Sequence, residues 1–141
     1  MRIGIDGNSL TRPFQHGIRR YLEELLKNIA KIDKKNFYVI FANKIVPIPI
    51  QNNFKLVVIP KFPVLKRQLF LPMAVSRERL DIFHNIDSYG SIFLKAPHII
   101  TTVHDMNLGI VYPTFRNLKY FSKRVYSEIL RFFTFRNLRN F

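Results

Sequence analysis

The sequence predicts an α/β layered domain with a mostly parallel sheet, and three observations lead there. Short β-branched and aromatic runs alternate with stretches of helical period in the order β-α-β-β-α-β-β-α. The chain opens on a strand that passes through a glycine-containing loop into an amphipathic helix, the first half of a βαβ unit. Two later strands each end on a histidine, His84 and His104, which places two imidazoles toward one edge of the sheet.

In chain order, Arg2-Ile3-Gly4-Ile5-Asp6 reads as the first strand, with Gly7-Asn8-Ser9 as its turn. Pro13 and Gly17 punctuate the loop that follows. From Ile18 the period changes: Ile18, Leu22, Leu25, Leu26, Ile29 and Ile32 share one helical face, and Glu23 stands four residues before Lys27 on another. A helix starting at Gly17-Ile18 directs free backbone N–H groups toward the sheet edge, where an anion could sit; the same residues also fit a helix that merely follows a loop. After the polar turn Lys34-Lys35-Asn36, residues 37–42 form a second strand and residues 55–59 a third, closed by Pro60. Pro47 and Pro49 mark the segment between them as loop. Residues 64–80 are helix-like but interrupted by Pro72, which predicts a kink or two short pieces. Residues 81–84 form a short fourth strand, residues 85–97 a loop, and residues 99–103 a fifth strand, apolar and β-branched as suits burial on both faces.

That fifth strand runs directly into His104-Asp105. Ligands of open α/β sheets bind outside the carboxyl ends of the strands, so two ionisable residues delivered there are a site candidate. The alternative is that Asp105 caps the following turn and His104 is a loop histidine.

Composition narrows the classes. The 141 residues are 48% hydrophobic and 14% aromatic, which suits a packed domain and excludes a disordered chain. Without cysteine there is no disulfide framework and no thiolate metal site. The immediate opening strand leaves no room for a signal peptide, and no apolar run approaches the length of a membrane span, so the expected location is the cytoplasm. Twenty-three Lys and Arg against nine Asp and Glu give a net charge of +14, a surface that attracts polyanions. Residues 116–141 carry seven of those cations and one acid, with Leu118, Phe121, Val125, Ile129 and Phe132 on one helical face. Such a basic amphipathic helix either packs on the sheet with a solvated back or lies on an anionic membrane, with Lys119, Lys123 and Arg124 as its lipid-facing cations.

These pieces together resemble the N-terminal domain of the family 4 retaining glycosyltransferases, enzymes with two facing Rossmann-like domains (the GT-B fold). The resemblance rests on Arg2 through Leu10, on Gly17-Ile18-Arg19-Arg20-Tyr21, on Asp81-Ile82-Phe83-His84, on Thr102-Val103-His104-Asp105 and on Tyr112-Pro113 with the basic helix after it. It implies a Rossmann-like three-layer domain, one half of a GT-B fold, on the acceptor side of the cleft. It implies transfer of a sugar from a nucleotide diphosphate sugar, with retention, to a glycan or lipid-linked acceptor. His104 would line the donor sugar and Asp105 would orient its loop. Gly17 and Ile18 would offer N–H groups to the diphosphate, and His84, Asn85 and Tyr89 would face the acceptor. No metal or other cofactor is implied. Arg19 departs from the family, which places a small residue in that part of the donor-binding loop. The closing strand and the second, donor-binding domain of the family have no counterpart in residues 1–141, so the resemblance implies a truncated and inactive half, peripheral on the inner face of the membrane.

The rival expectation is a non-catalytic basic module that binds an anionic membrane or a phosphorylated ligand. No helix-turn-helix, zinc or RNA-recognition signature is present, which counts against nucleic acid.

Overall fold

The computed structural model describes residues 1–13, 16–49, 51–60, 66–87, 91 and 93–104. The elements are β1 (Arg2–Asp6), a 3-10 turn (Asn8–Thr11), α1 (Gly17–Ile32), β2 (Phe37–Ala42), β3 (Phe54–Val58), a π-type turn (Lys66–Phe70), α2 (Leu71–Arg77), β4 (Ile82–Asn85) and β5 (His98–Thr101). The five strands form one sheet in the order β3-β2-β1-β4-β5, every neighbouring pair parallel. The expected mostly parallel sheet is thus wholly parallel, in a Rossmann-like arrangement.

Alternation along the strands sorts the core into two layers. Ile5, Tyr38, Ile40, Ala42 and Phe54 pack with Leu22, Leu26 and Ala30 of α1. Val39, Phe41 and Phe83 face the other way and pack with Leu71 and Val75 of α2. β2 is buried from Tyr38 to Ala42, which explains its unbroken apolar sequence Phe37-Tyr38-Val39-Ile40-Phe41-Ala42. β1 lies between β2 and β4, and Gly4 lets α2's exit approach it: a Cβ there would lie 2.3 Å from Leu80 Cδ1. Gly7 is required for a similar reason. Its N–H donates to Phe41 O at 2.8 Å, and a Cβ would lie 2.5 Å from Ile40 Cγ2.

Several boundaries differ from the sequence expectations. The turn expected at Gly7-Asn8-Ser9 extends further, as a 3-10 turn over Asn8–Thr11 in which Leu10 N–H bonds back to Gly7 O at 3.0 Å. β3 begins at Phe54, one residue early, where Tyr38 N–H bonding to Asn53 O brings the chain alongside β2. Pro72 does divide the helical stretch: it stands in the first turn of α2, where its missing N–H is no loss, and the π-type turn precedes it. β5 covers His98–Thr101, so Thr102, Val103 and His104 form its exit; last in the strand order, it is not buried on both faces as expected, and Ile100 is half-exposed. No helix among the described residues is long and apolar enough to cross a membrane.

Candidate functional site at the carboxyl edge

The strand order creates the site. From β1 the chain moves to β2 and β3 on one side, then returns to β4 on the other. The carboxyl ends of β1 and β4 therefore flank a topological switch point, the crevice where open α/β sheets bind ligands.

On the β1 bank, Asp6 ends the strand and is almost fully buried. Its Oδ1 accepts the backbone N–H of Asn8 at 3.0 Å and the Asn8 amide at 2.6 Å, which folds the chain into the 3-10 turn. On the β4 bank stand His84, Asn85, Ile86 and Asp87. Arg12 joins the banks, its Nη2 donating to Asp87 Oδ2 at 2.5 Å. His16 Nε2 lies 3.4 Å from Arg12 Nη1.

α1 begins over this bridge. Its N-cap, His16, makes no side-chain cap bond, and the first turn holds no acid, so the N-terminal N–H groups and dipole there suit an anion. A Cβ on Gly17 would meet nothing within 4 Å, leaving its backbone open to approach. Ile18 turns its side chain inward against the α1-side core. Arg19, the departure from the family pattern, folds away from Gly17: its Nε donates to Glu23 Oε1 and its Nη1 to Arg12 O, both at 2.7 Å. It holds the loop carrying Arg12 in place.

The histidines come from adjacent parallel strands, with His84 opposite Ile100 in the register. His104 Nε2 donates to Ile86 O at 2.9 Å, which leaves Nδ1 outside that bond. Its ring meets the edge of Tyr21 with centroids 4.9 Å apart at 76°. His84 is half-buried and its Nε2 lies 2.8 Å from Thr102 Oγ1. Burial pushes its pKa below the usual histidine value, and the proximity of His104 pushes the same way. Asn85 is buried, its amide donating to Asp87 O at 2.6 Å and its carbonyl accepting Thr102 N–H at 2.9 Å; it shapes the turn below the crevice.

Six of the residues singled out from sequence stand around the carboxyl edge: Gly17 and Ile18 at the start of α1, Arg19 through its bond to Arg12 O, His84 and Asn85 at the end of β4, and His104 beyond β5. Tyr21, one turn into α1, touches His104, and Ile86, which holds His104, adjoins Asp87 on the bridge. Asp105, Tyr89, Lys119, Lys123 and Arg124 lie outside the described residues. Sequence reasoning assigned no role to Arg12, Asp87 or Tyr21. Arg12 stands in a loop of flexible composition and Asp87 meets it 75 positions later, a pairing that no local pattern signals.

The arrangement combines helix N–H donors, a guanidinium and two imidazoles above an apolar sheet, which is equipment for binding an anion and hydrogen-bonding a hydroxylated group beside it. No family model, curated protein or solved structure matches the chain.

Proposed function

We propose that this chain is the acceptor-side half of a glycosyltransferase that moves a sugar from a nucleotide diphosphate sugar with retention of configuration. The observation that carries the reading is the switch-point crevice, where the open start of α1, Arg12 and His104 meet. Sugar transfer passes through an oxocarbenium-like state while a diphosphate departs, so fixed donors near the leaving oxygens are the useful parts. Gly17 and Ile18 supply backbone N–H groups to the diphosphate, and Arg12, from the same bank and reaching across to Asp87, adds a positive charge. His104 lines the donor sugar with its Nδ1, and Asp105 orients the loop beyond it. His84, Asn85 and Tyr89 border the acceptor side, Asn85 through the turn it shapes. On this reading a second Rossmann-like domain completes the cleft, and residues 1–141 alone give no turnover. The net charge of +14 supports a peripheral seat on an anionic cytoplasmic leaflet, near a lipid-linked acceptor, with Lys119, Lys123 and Arg124 as contacts.

Titration of uridine and guanosine diphosphates into isotope-labelled protein, followed by NMR, tests the reading. One of them should give saturable shifts at the Gly17 and Ile18 amides and the His104 ring. Shifts that spread over the basic surface without saturating, or that inorganic phosphate reproduces at equal concentration, would sink it. So would robust sugar transfer by residues 1–141 that is lost in His104→Ala, because the site would then be self-sufficient.

A further inference from the structure

Between the second half of α1 and the β2–β3 connection lies a cavity of about 550 Å³, lined by Glu23, Leu26, Lys27, Ala30 and Lys31 on the helix and by Pro47, Ile48, Pro49 and Gln51 opposite. It stands where a parallel connection usually places a helix; the described residues between β2 and β3 include none. Its volume falls in the range of small-molecule pockets, about 300–1,000 Å³.

The walls state what they can hold. Leu26 and Ala30 are core residues, and Ile48 packs against the same cluster. Pro47 and Pro49 carry no N–H, so this wall cannot pair with a peptide strand through those residues. The charges are sorted along the helix. Glu23 is taken by Arg19 and Lys27 by Glu24, each at 2.7 Å. Lys31 is exposed and, among the described residues, forms no direct ion pair, its charge acting only at longer range on Glu24, which Lys27 already holds. Beside it, Gln51 is pinned by its Nε2 donating to Ala30 O at 2.9 Å, and Lys34 donates to Gln51 Oε1 at 2.9 Å. The cavity is apolar along its length and cationic at the Ala30–Lys31 end. The geometry points to a binding site for a single acyl chain with an anionic head, the chain along Leu26 and Ile48 and the head against Lys31. This site is separate from the carboxyl-edge crevice and does not rest on the glycosyltransferase reading.

Displacement of the fluorescent fatty acid cis-parinaric acid from the purified chain tests it, with dodecanoate, dodecyl phosphate and dodecanol as competitors. The expected result is saturable displacement, with the tighter of the two anions at least about fivefold stronger than the alcohol, as one lysine near an anion supplies. Which anion is tighter identifies the head as carboxylate or phosphate. Lys31→Glu should abolish the preference over the alcohol, while Lys44→Glu, an equal charge change outside the cavity, should keep it. Ile48→Trp should block all three by filling the space. Lys31 is exposed, so its substitution leaves the fold intact and decides the matter even if the tryptophan variant does not fold. Equal affinity for alcohol and anions, displacement that never saturates, or an equal loss in Lys44→Glu would overturn the proposal.

Discussion

The two edges of the sheet use polar residues in opposite ways. At the amino edge they close on one another. The N-terminal ammonium bonds to Asn36 Oδ1 at 2.9 Å, and Arg2 N–H bonds to Asp81 Oδ2 at 2.7 Å. Glu78 receives Arg2 at 2.5 Å and Lys55 at 2.7 Å while mostly buried itself. Asp33 accepts the Tyr38 hydroxyl and the Asn36 amide, both at 2.6 Å, and these bonds hold its carboxyl well below the usual range. Burial, then the bond to Asp33, pushes the Tyr38 hydroxyl up to about 12. At the carboxyl edge, by contrast, Arg12 spans a gap and His104 is exposed with one ring nitrogen unused by its bond to Ile86. The amino edge fastens strand starts to one another; the carboxyl edge keeps polar groups where a ligand can compete for them.

The sharpest way to break this contrast is to cut one residue on each side. Glu78→Ala leaves Arg2 and Lys55 without their shared carboxylate and should cost about 2 kcal/mol in urea denaturation, with nucleotide diphosphate binding unchanged. Arg12→Ala should lower both stability and binding. Its ion pair is no more exposed than that of Glu78, and its loss leaves the buried carboxylate of Asp87 without a cation, so stability should also fall by about 2 kcal/mol, while affinity for the diphosphate that binds should drop about tenfold with the loss of a charge-assisted bond. An equal loss of diphosphate affinity in Glu78→Ala would erase the distinction. The smallest effect sharpens it by pH. The folded pKa of His84 lies below its unfolded value, so near the lower value the unfolded chain binds more protons. The stability it contributes is complete above about pH 6.5 and is lost as pH falls toward the depressed folded value. Urea midpoints measured from about pH 7 to about pH 5 should therefore decline in the wild type and flatten in His84→Gln.

The sheet was legible because its causes are local. Phe37 through Ala42 is apolar throughout and became a strand buried over five of its six residues. The period of α1 showed which side it buries from Ile18 to Ile29, although Ile32, expected on the same face, is exposed at the helix end, and Pro72 marked the division before α2. Two histidines at strand ends could be placed at one edge once the strands were taken as parallel. Their partners could not. His104 rests on the carbonyl of Ile86, and His84 pairs with the hydroxyl of Thr102, contacts set by the loops beyond the strands. The Arg12–Asp87 bridge was hidden for the same reason, since it follows from the return of the chain to β4. The cavity beside α1 depends on the path of a proline-rich connection, and a loop assignment says nothing of that path.

The central place of β1 also governs how the chain can be assembled. β1 is synthesised before both of its neighbours and pairs on one side with β2 and on the other with β4, whose Ile82 stands opposite Ile3. The β1–β2–β3 side can zip up early, but the other flank of β1 must wait until residues 82–85 have emerged. At about 5–20 residues per second that flank stays open for about one to five seconds after β3 is complete. An unpaired parallel edge is a template for intermolecular pairing, so the period between completion of β3 and arrival of β4 is when the nascent chain is most exposed to aggregation.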